Sequence, residues 1–164
     1  MRLTTKGRYA VTAMLDLAFH EDQGPITLAQ ISQRQGVSVS YLEQLFAKLR
    51  RCKLVTSVRG AGGGYRLASS PAQISVAQIV DAAGDSMDAT HCLGRADCQQ
   101  GEVCLTHHMW SDLSKRLQQF LNDISLADLV CREDIKGVYS RQNEPDRAPV
   151  PSTTSAQHII CSGR

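Results

Sequence analysis

Apolar residues recur at helical spacing from about Lys6 to His20, with Val11, Met14, Leu15 and Ala18 on one side, and Gly24-Pro25 ends the segment. Thr27-Leu28-Ala29-Gln30 is a Thr-x-x-Gln capping box, so a short helix starts there. Leu28 and Ile31 form its apolar face, and Gly36 is the left-handed residue that closes it. After a tight Gly36-Val37-Ser38 turn, Leu42, Leu45, Phe46 and Leu49 define a second helix reaching about Arg51. Two helices joined by so short a turn form a helix-turn-helix. The period then changes. Leu54 to Val58 and Tyr65 to Leu67 read as strands around a glycine-dominated loop from Arg59 to Gly64. A second capping box, Ser75-Val76-Ala77-Gln78, carries Ile74 and Ile79 as a hydrophobic staple and starts a helix that ends at Gly84. A long helix follows from about Thr106 to Asp123, with Trp110, Leu113, Leu117, Phe120, Leu121 and Ile124 on one side. From Arg141 onward the chain is polar, holds three prolines and has no apolar period, so it reads as a disordered tail.

The fold class that results is mainly α with a small β-hairpin wing. A winged helix-turn-helix occupies residues 1–70, a cysteine-bearing loop and a long dimerisation helix occupy 71–135, and a disordered tail occupies 136–164. The apolar stripe of the long helix has nearly three-four spacing, as in a helix that packs along a partner helix. It could cap the winged unit, but a homodimer is the better use, because two-fold symmetry would present two reading helices to a palindromic site.

Successive helical residues lie about 100° apart, which places Ser40, Gln44, Ala47 and Arg51 opposite the apolar side of the second helix, flanked by Tyr41, Glu43 and Lys48. Hydrogen-bonding groups near the helix start and cations further along suit a helix presented to the major groove of double-stranded DNA. With the preceding turn and the wing, the predicted DNA-binding set is Ser38, Ser40, Tyr41, Glu43, Gln44, Arg59 and Gly60. Arg59, at the base of the wing, is placed to reach a phosphate or a narrow minor groove. Glu43 has two readings. It completes a Ser40-x-x-Glu43 capping box, or it is an acceptor-only group that tolerates a cytosine amino group and disfavours other base edges. The run RGAGGG lacks the Lys-Ser/Thr of a phosphate-binding loop and no helix follows it, which argues against a P-loop.

A net charge of +2 conceals an asymmetry: residues 1–70 carry ten Lys/Arg against four Asp/Glu, whereas residues 71–164 carry eight against twelve. A basic first half is what a polyanion-binding surface needs. A winged-helix module that binds only protein would share the pattern but lack a steep salt dependence. No run approaches the ~18 apolar residues of a membrane span, and Asp16 breaks the apolar stretch after the basic start, against a signal peptide. The chain therefore reads as cytoplasmic, without a membrane partner. In that compartment cysteines stay reduced, and a cluster of them points to metal or redox chemistry.

Cys92, Cys98 and Cys104 are separated by equal five-residue gaps and followed by His107-His108. His107 lies three residues after Cys104, so both can face one side of the helix start; His108 points about 100° away and reads as a surface group. Three thiolates and one imidazole can hold structural zinc tetrahedrally or supply the four protein ligands of a two-iron cluster, and the residues alone leave both open. The set has no spare carboxylate-histidine pair beside it, which argues against an enzyme. Trp110 reads as dimer core, and Cys52 as a small buried residue after the reading helix.

Together, MRLTTKGRYAVTAMLDLA, GVSVSYLEQLFAKLR, VRGAGGGYRL and the Cys92, Cys98, Cys104 and His107 constellation resemble the iron-sulfur cluster regulators, a family of winged-helix transcription factors. The likeness spans roughly residues 1 to 135. It implies a 2Fe-2S cluster held by those four residues, a homodimer and the iron-sulfur assembly machinery as cluster donor. It also implies control of iron-sulfur biogenesis operons, including repression of its own when cluster is plentiful. Two departures stand out: Cys52-Lys53 where a turn-forming Asn-Gly is expected, and the thiols Cys131 and Cys161, which the family pattern does not require. The alternative reading is a zinc-stabilised winged-helix regulator without cluster sensing.

Overall fold

In a computed structural model, which describes residues 4–99 and 101–142, the first apolar run forms α1 (Thr5–Phe19). Its innermost side is Ala10, Ala13, Met14, Leu17 and Ala18, a mostly small-residue face that lets its neighbours approach closely. Val11 and Leu15 sit at the margin of that core. Together with Phe19 they face the last described helix, so α1 serves two apolar partners rather than the one its larger side chains predict.

The helix-turn-helix follows the expected local chemistry. Thr27 and Gln30 form both halves of a capping box at the start of α2 (Leu28–Gln35), and Gly36 closes the helix at φ 66°. In α3 (Val39–Arg51), Leu42, Leu45, Phe46 and Leu49 are all buried. One expectation fails. Ser38 is the N-cap of α3, so Ser40 lies inside the helix and the Ser40–Glu43 capping box does not exist; Glu43 is simply exposed. Cys52 is also exposed rather than buried, because it ends α3 outside the core, and Lys53 turns the chain at φ 58°. Lys53 thus occupies the left-handed conformation for which an Asn-Gly pair is suited.

Strands β1 (Val55–Val58) and β2 (Gly64–Leu67) pair antiparallel, with Val55 opposite Leu67 and Val58 opposite Gly64. Ile26 adds to the free edge of β2: its amide donates to the Tyr65 carbonyl at 2.9 Å and its carbonyl accepts from the Tyr65 amide at 2.7 Å. This close approach requires Gly64, where a Cβ would stand 2.5 Å from the Ile26 oxygen. Gly60 turns the wing tip at φ 100°.

The second capping box, Ser75 with Gln78, starts α4 (Val76–Ala83), and Ile74 and Ile79 both enter the main core. The long amphipathic stretch is α5 (His107–Asn122). Its stripe divides. Leu117 and Leu121, with Ile124 beyond the helix, pack on Val76, Ala77, Val80 and Met87, while Trp110, Leu113 and Phe120 remain 40%, 44% and 62% exposed. Beyond α5, α6 (Leu126–Cys131) and α7 (Glu133–Gln142) complete the described chain. Leu126 is fully buried in the main core, and its amide donates to the Ile74 carbonyl while the Val76 amide donates to that of Ile124, each at 2.9 Å. The expected tail over 136–164 is corrected at its start: residues 136–142 are helical, because Tyr139 stacks on Phe19 at 4.2 Å and Gln142 accepts from Gln35. The rest of that segment, including Cys161, lies outside the described residues.

Asp16, the residue that interrupts the apolar run of α1, points inward. It accepts two hydrogen bonds from Arg34, at 2.6 and 2.9 Å, and one from Gln35 at 2.8 Å, which clamps α2 against α1.

Candidate metal centre and nucleic-acid interface

The cysteine loop is positioned by its two ends. Met87 is buried against α4, the Ala89 amide donates to Ser114 Oγ of α5 at 2.8 Å, and the Thr90 amide and hydroxyl both donate to Asp88. Thr90 Oγ1 in turn accepts from the Gly94 amide, which folds the backbone around Cys92. From the other side, His107 opens α5 and turns inward, so a buried imidazole meets a buried thiol.

His107 Nδ1 lies 3.4 Å from Cys92 Sγ and 3.3 Å from Cys98 Sγ, and the ligating atoms of these three residues all fall within 4.8 Å of one another. Such separations are close to the edge of a tetrahedron around one metal ion with bonds of about 2.1–2.3 Å. Cys104 is not within that group. It stands beside it, hydrogen-bonded to Cys98, and its Sγ is 3.9 Å from Thr106 Oγ1. A cavity of about 460 Å³ is lined by Cys98, Cys104, His107, His91 and Trp110 among others. Trp110 therefore contributes to the wall of this site, a role its place in the apolar stripe did not suggest. His108 is exposed, edge-on to His107 at 5.7 Å.

The thiols influence one another electrically. Burial pushes the Cys92 thiol up, but hydrogen bonds from Cys98, Thr90, the Ala96 backbone and His107 outweigh it and bring its pKa down to about 6. Cys104 is also lowered, chiefly by its hydrogen bond with Cys98. Cys98 is raised: the Cys104 backbone lowers it, but its thiol neighbours and burial prevail. Two thiols lowered around one that is raised make a soft, electron-rich donor set of the kind that suits a metal.

In the winged unit, Ser38, Ser40, Glu43, Gln44, Arg59 and Gly60 are all exposed and Tyr41 is half-buried, its ring edge-on to Tyr9 at 5.8 Å. Arg50, Arg51, Lys53 and Arg66 are exposed cations on the same first half of the chain. Two basic residues are spent inward instead: Arg34 on Asp16, and Lys48, whose Nζ donates to the Ala83 carbonyl at 2.8 Å. Sequence spacing could not reveal either partner, since each lies on another helix. No helix among the described residues is long and apolar enough to cross a membrane.

A helix-turn-helix with a wing, joined to a pocket of thiols and imidazole, defines the class, a winged-helix transcriptional regulator. Similarity extends over most of the chain. It is 62% identical over 143 residues to a provisionally named HTH-type transcriptional regulator, ORF2, of Azotobacter vinelandii, covering 87% of each. It is 56% identical over 150 residues to the HTH-type transcriptional regulator IscR of Sodalis glossinidius, covering 92% of this chain and 91% of that one. The solved structure of T. potens IscR superposes with a TM-score of 0.65 at 39% identity, covering 79% of this chain and 86% of that one. Residues 3–132 match the family model described as Rrf2, iron-dependent transcriptional regulator, and the chain belongs to that family.

Proposed function

We propose that this protein senses iron-sulfur status through a 2Fe-2S cluster and, as a homodimer, binds operator DNA to control iron-sulfur biogenesis operons, including repression of its own. The observation that carries this reading is the convergence of Cys92, Cys98 and His107 in a member of an iron-dependent regulator family. Cys104, at the rim and in contact with Cys98, is the fourth donor, and the adjoining cavity leaves room for a group larger than one ion. When bound, such a cluster supplies reversible redox and assembly chemistry. The residues themselves do the rest. Cys92 presents a thiolate near neutral pH, His107 offers an imidazole nitrogen, and Thr90 and Asp88 hold the loop that carries Cys92.

At the DNA, Ser38, Ser40, Tyr41, Glu43 and Gln44 meet the major groove, and Arg59 and Gly60 meet the backbone or minor groove. Glu43, free of any capping duty, discriminates among base edges by accepting only from donors. Trp110, Leu113 and Phe120 supply the exposed apolar strip on which the second copy packs. The iron-sulfur assembly machinery is the cluster donor.

The test is the visible absorption of anaerobically purified protein together with its iron, sulfide and zinc content. Iron and sulfide in equal amounts are expected. His107→Ala should lose them, and His108→Ala should keep them. Stoichiometric zinc without sulfide would overturn the cluster reading in favour of a zinc-stabilised regulator.

A further inference from the structure

The joint between α4 and the cysteine loop, residues 83–85, touches both α1 and the reading helix α3. Asp85 is buried, and its carboxylate accepts from the Thr4 amide at 2.7 Å, the Thr4 hydroxyl at 2.6 Å and the Gly7 amide at 3.1 Å, closing the N-terminus of α1. Gly7 shows how close this approach is. A Cβ there would stand 2.7 Å from Asp85 Oδ2, so a helix keeps an unfavourable glycine in order to admit the carboxylate. Two residues earlier, the Ala83 carbonyl holds Lys48, which belongs to α3. The Tyr9–Tyr41 pair then links α1 to α3 directly.

The same joint is continuous with the thiol site. From the turn that carries Cys92 the path runs through the bond the Gly94 amide donates to Thr90 Oγ1 at 2.7 Å, through the two bonds Thr90 donates to Asp88, and through the buried Met87 to Asp85. Six residues of chain lie between Asp85 and Cys92, and each of these contacts restricts them. A physical connection of this kind is needed if events at one site are to bias the other.

We propose that Asp85 and Lys48 are positioning residues that convert the state of the cysteine loop into the placement of α1 and the reading helix α3. Asp85 ties the loop to the start of α1, and Lys48 ties α3 to the end of α4. Ordering the loop by a bound metal or cluster fixes both ties, and loosening it frees α3 to settle differently against DNA. This inference rests on the sensing function proposed above.

The experiment uses full-length protein, wild type, Asp85→Asn, Lys48→Met and Lys48→Arg, each with metal and sulfide content measured first. Affinities are then determined, loaded and chelator-stripped, on duplexes selected from a random library by the wild-type protein in each state. The wild type should distinguish its two states by a factor in the range of about 5–150 on at least one duplex. Asp85→Asn and Lys48→Met should retain wild-type metal content, yet bind each duplex alike in both states, within about twofold, with the coupling lost. Lys48→Arg should restore discrimination, because a guanidinium can still donate to the Ala83 carbonyl. Amide exchange at Gly7 and Tyr9 should respond to stripping in the wild type and not in Asp85→Asn. Variants that weaken both states equally and preserve their ratio would overturn the proposal, leaving a merely structural role. So would variants that lose the metal, which would make these residues part of the site itself. A wild type that binds every duplex alike in both states would instead contradict the sensing function.

Discussion

Removing Arg34 should expose how much the orientation of α2 owes to a single buried carboxylate. Asp16 is 3% exposed and receives both arms of the Arg34 fork, with Gln35 as its third donor. Breaking a buried pair by deleting one partner costs about 3–5 kcal/mol, because the survivor remains out of water without its counter-charge. The Arg34 side chain keeps 16% exposure and Gln35 still donates, so Arg34→Ala should fall at the lower end, about 3 kcal/mol. For a chain of this length that lowers Tm by about 6–12 °C. The double variant Asp16→Leu, Arg34→Met removes both charges and keeps the volume, and should recover most of the loss, since replacing a buried pair by apolar groups is often neutral. Thermal and denaturant unfolding of Asp16→Leu, Arg34→Met and the double variant complete the cycle. Affinity for a fixed duplex at a temperature where all are folded reports whether α2 still presents α3 correctly. Arg34→Ala melting within 2 °C of the parent, or a double variant as unstable as the sum of the singles, would refute the argument that Asp16 is held out of water by its partner.

Lys53→Gly should raise stability by about 1 kcal/mol, because a left-handed residue with a side chain costs about 1–2 kcal/mol and glycine gives part of that back through the unfolded chain; denaturant midpoints check it, and any decrease contradicts it. Burial raises the Asp85 carboxyl pKa, but bonds from Thr4 and Gly7 and the charge of Lys6 hold it below the ordinary 3.8. A depressed carboxylate contributes stability that is complete above its unfolded value and lost as pH falls through its folded value. Asp85→Asn should therefore be less stable than the parent at pH 7, by about 2 kcal/mol, with the gap closing below pH 3.8; a gap independent of pH would contradict the assignment. Arg59→Ala should weaken binding to every duplex and shallow the salt slope, whereas Gln44→Ala should alter sequence preference, because an amide reads base edges and an exposed guanidinium in the wing mostly meets phosphate. Titrations against selected and random duplexes at two salt concentrations separate them, and equal losses on both duplexes for Gln44→Ala would count against the division.

Signals confined to a few neighbouring residues were legible in the sequence. The boxes at Thr27 and Ser75, the closing glycines Gly36 and Gly84, and the apolar side of α3 all depend on contacts within one helical turn. What escaped depends on partners far along the chain. Asp16 looked like an interruption because Arg34 is 18 residues away, and Gly7 looked unremarkable because Asp85 is 78 away. Helix α6 carries a Ser125–Asp128 box, a weaker signal than Ser-x-x-Glu, and α7 has only a short apolar face that needs Phe19 to cover it. At the thiol site, spacing suggested four equivalent donors. The fold brings three together and leaves Cys104 at the rim, a distinction set by how the loop closes rather than by the gaps.

The burial of Leu126 in the same core as α1 and α3 bears on how the protein is made. A chain leaving the ribosome exposes the helix-turn-helix first, but the core beneath it also takes Ile74, Ile79, Ala83 and Leu126, the last of which follows the whole cysteine loop in the chain. Residues 1–70 alone thus lack part of their interior, and a truncated product ending there would present apolar faces. The thiols of the cysteine loop are therefore already made when this core receives its last fully buried residue.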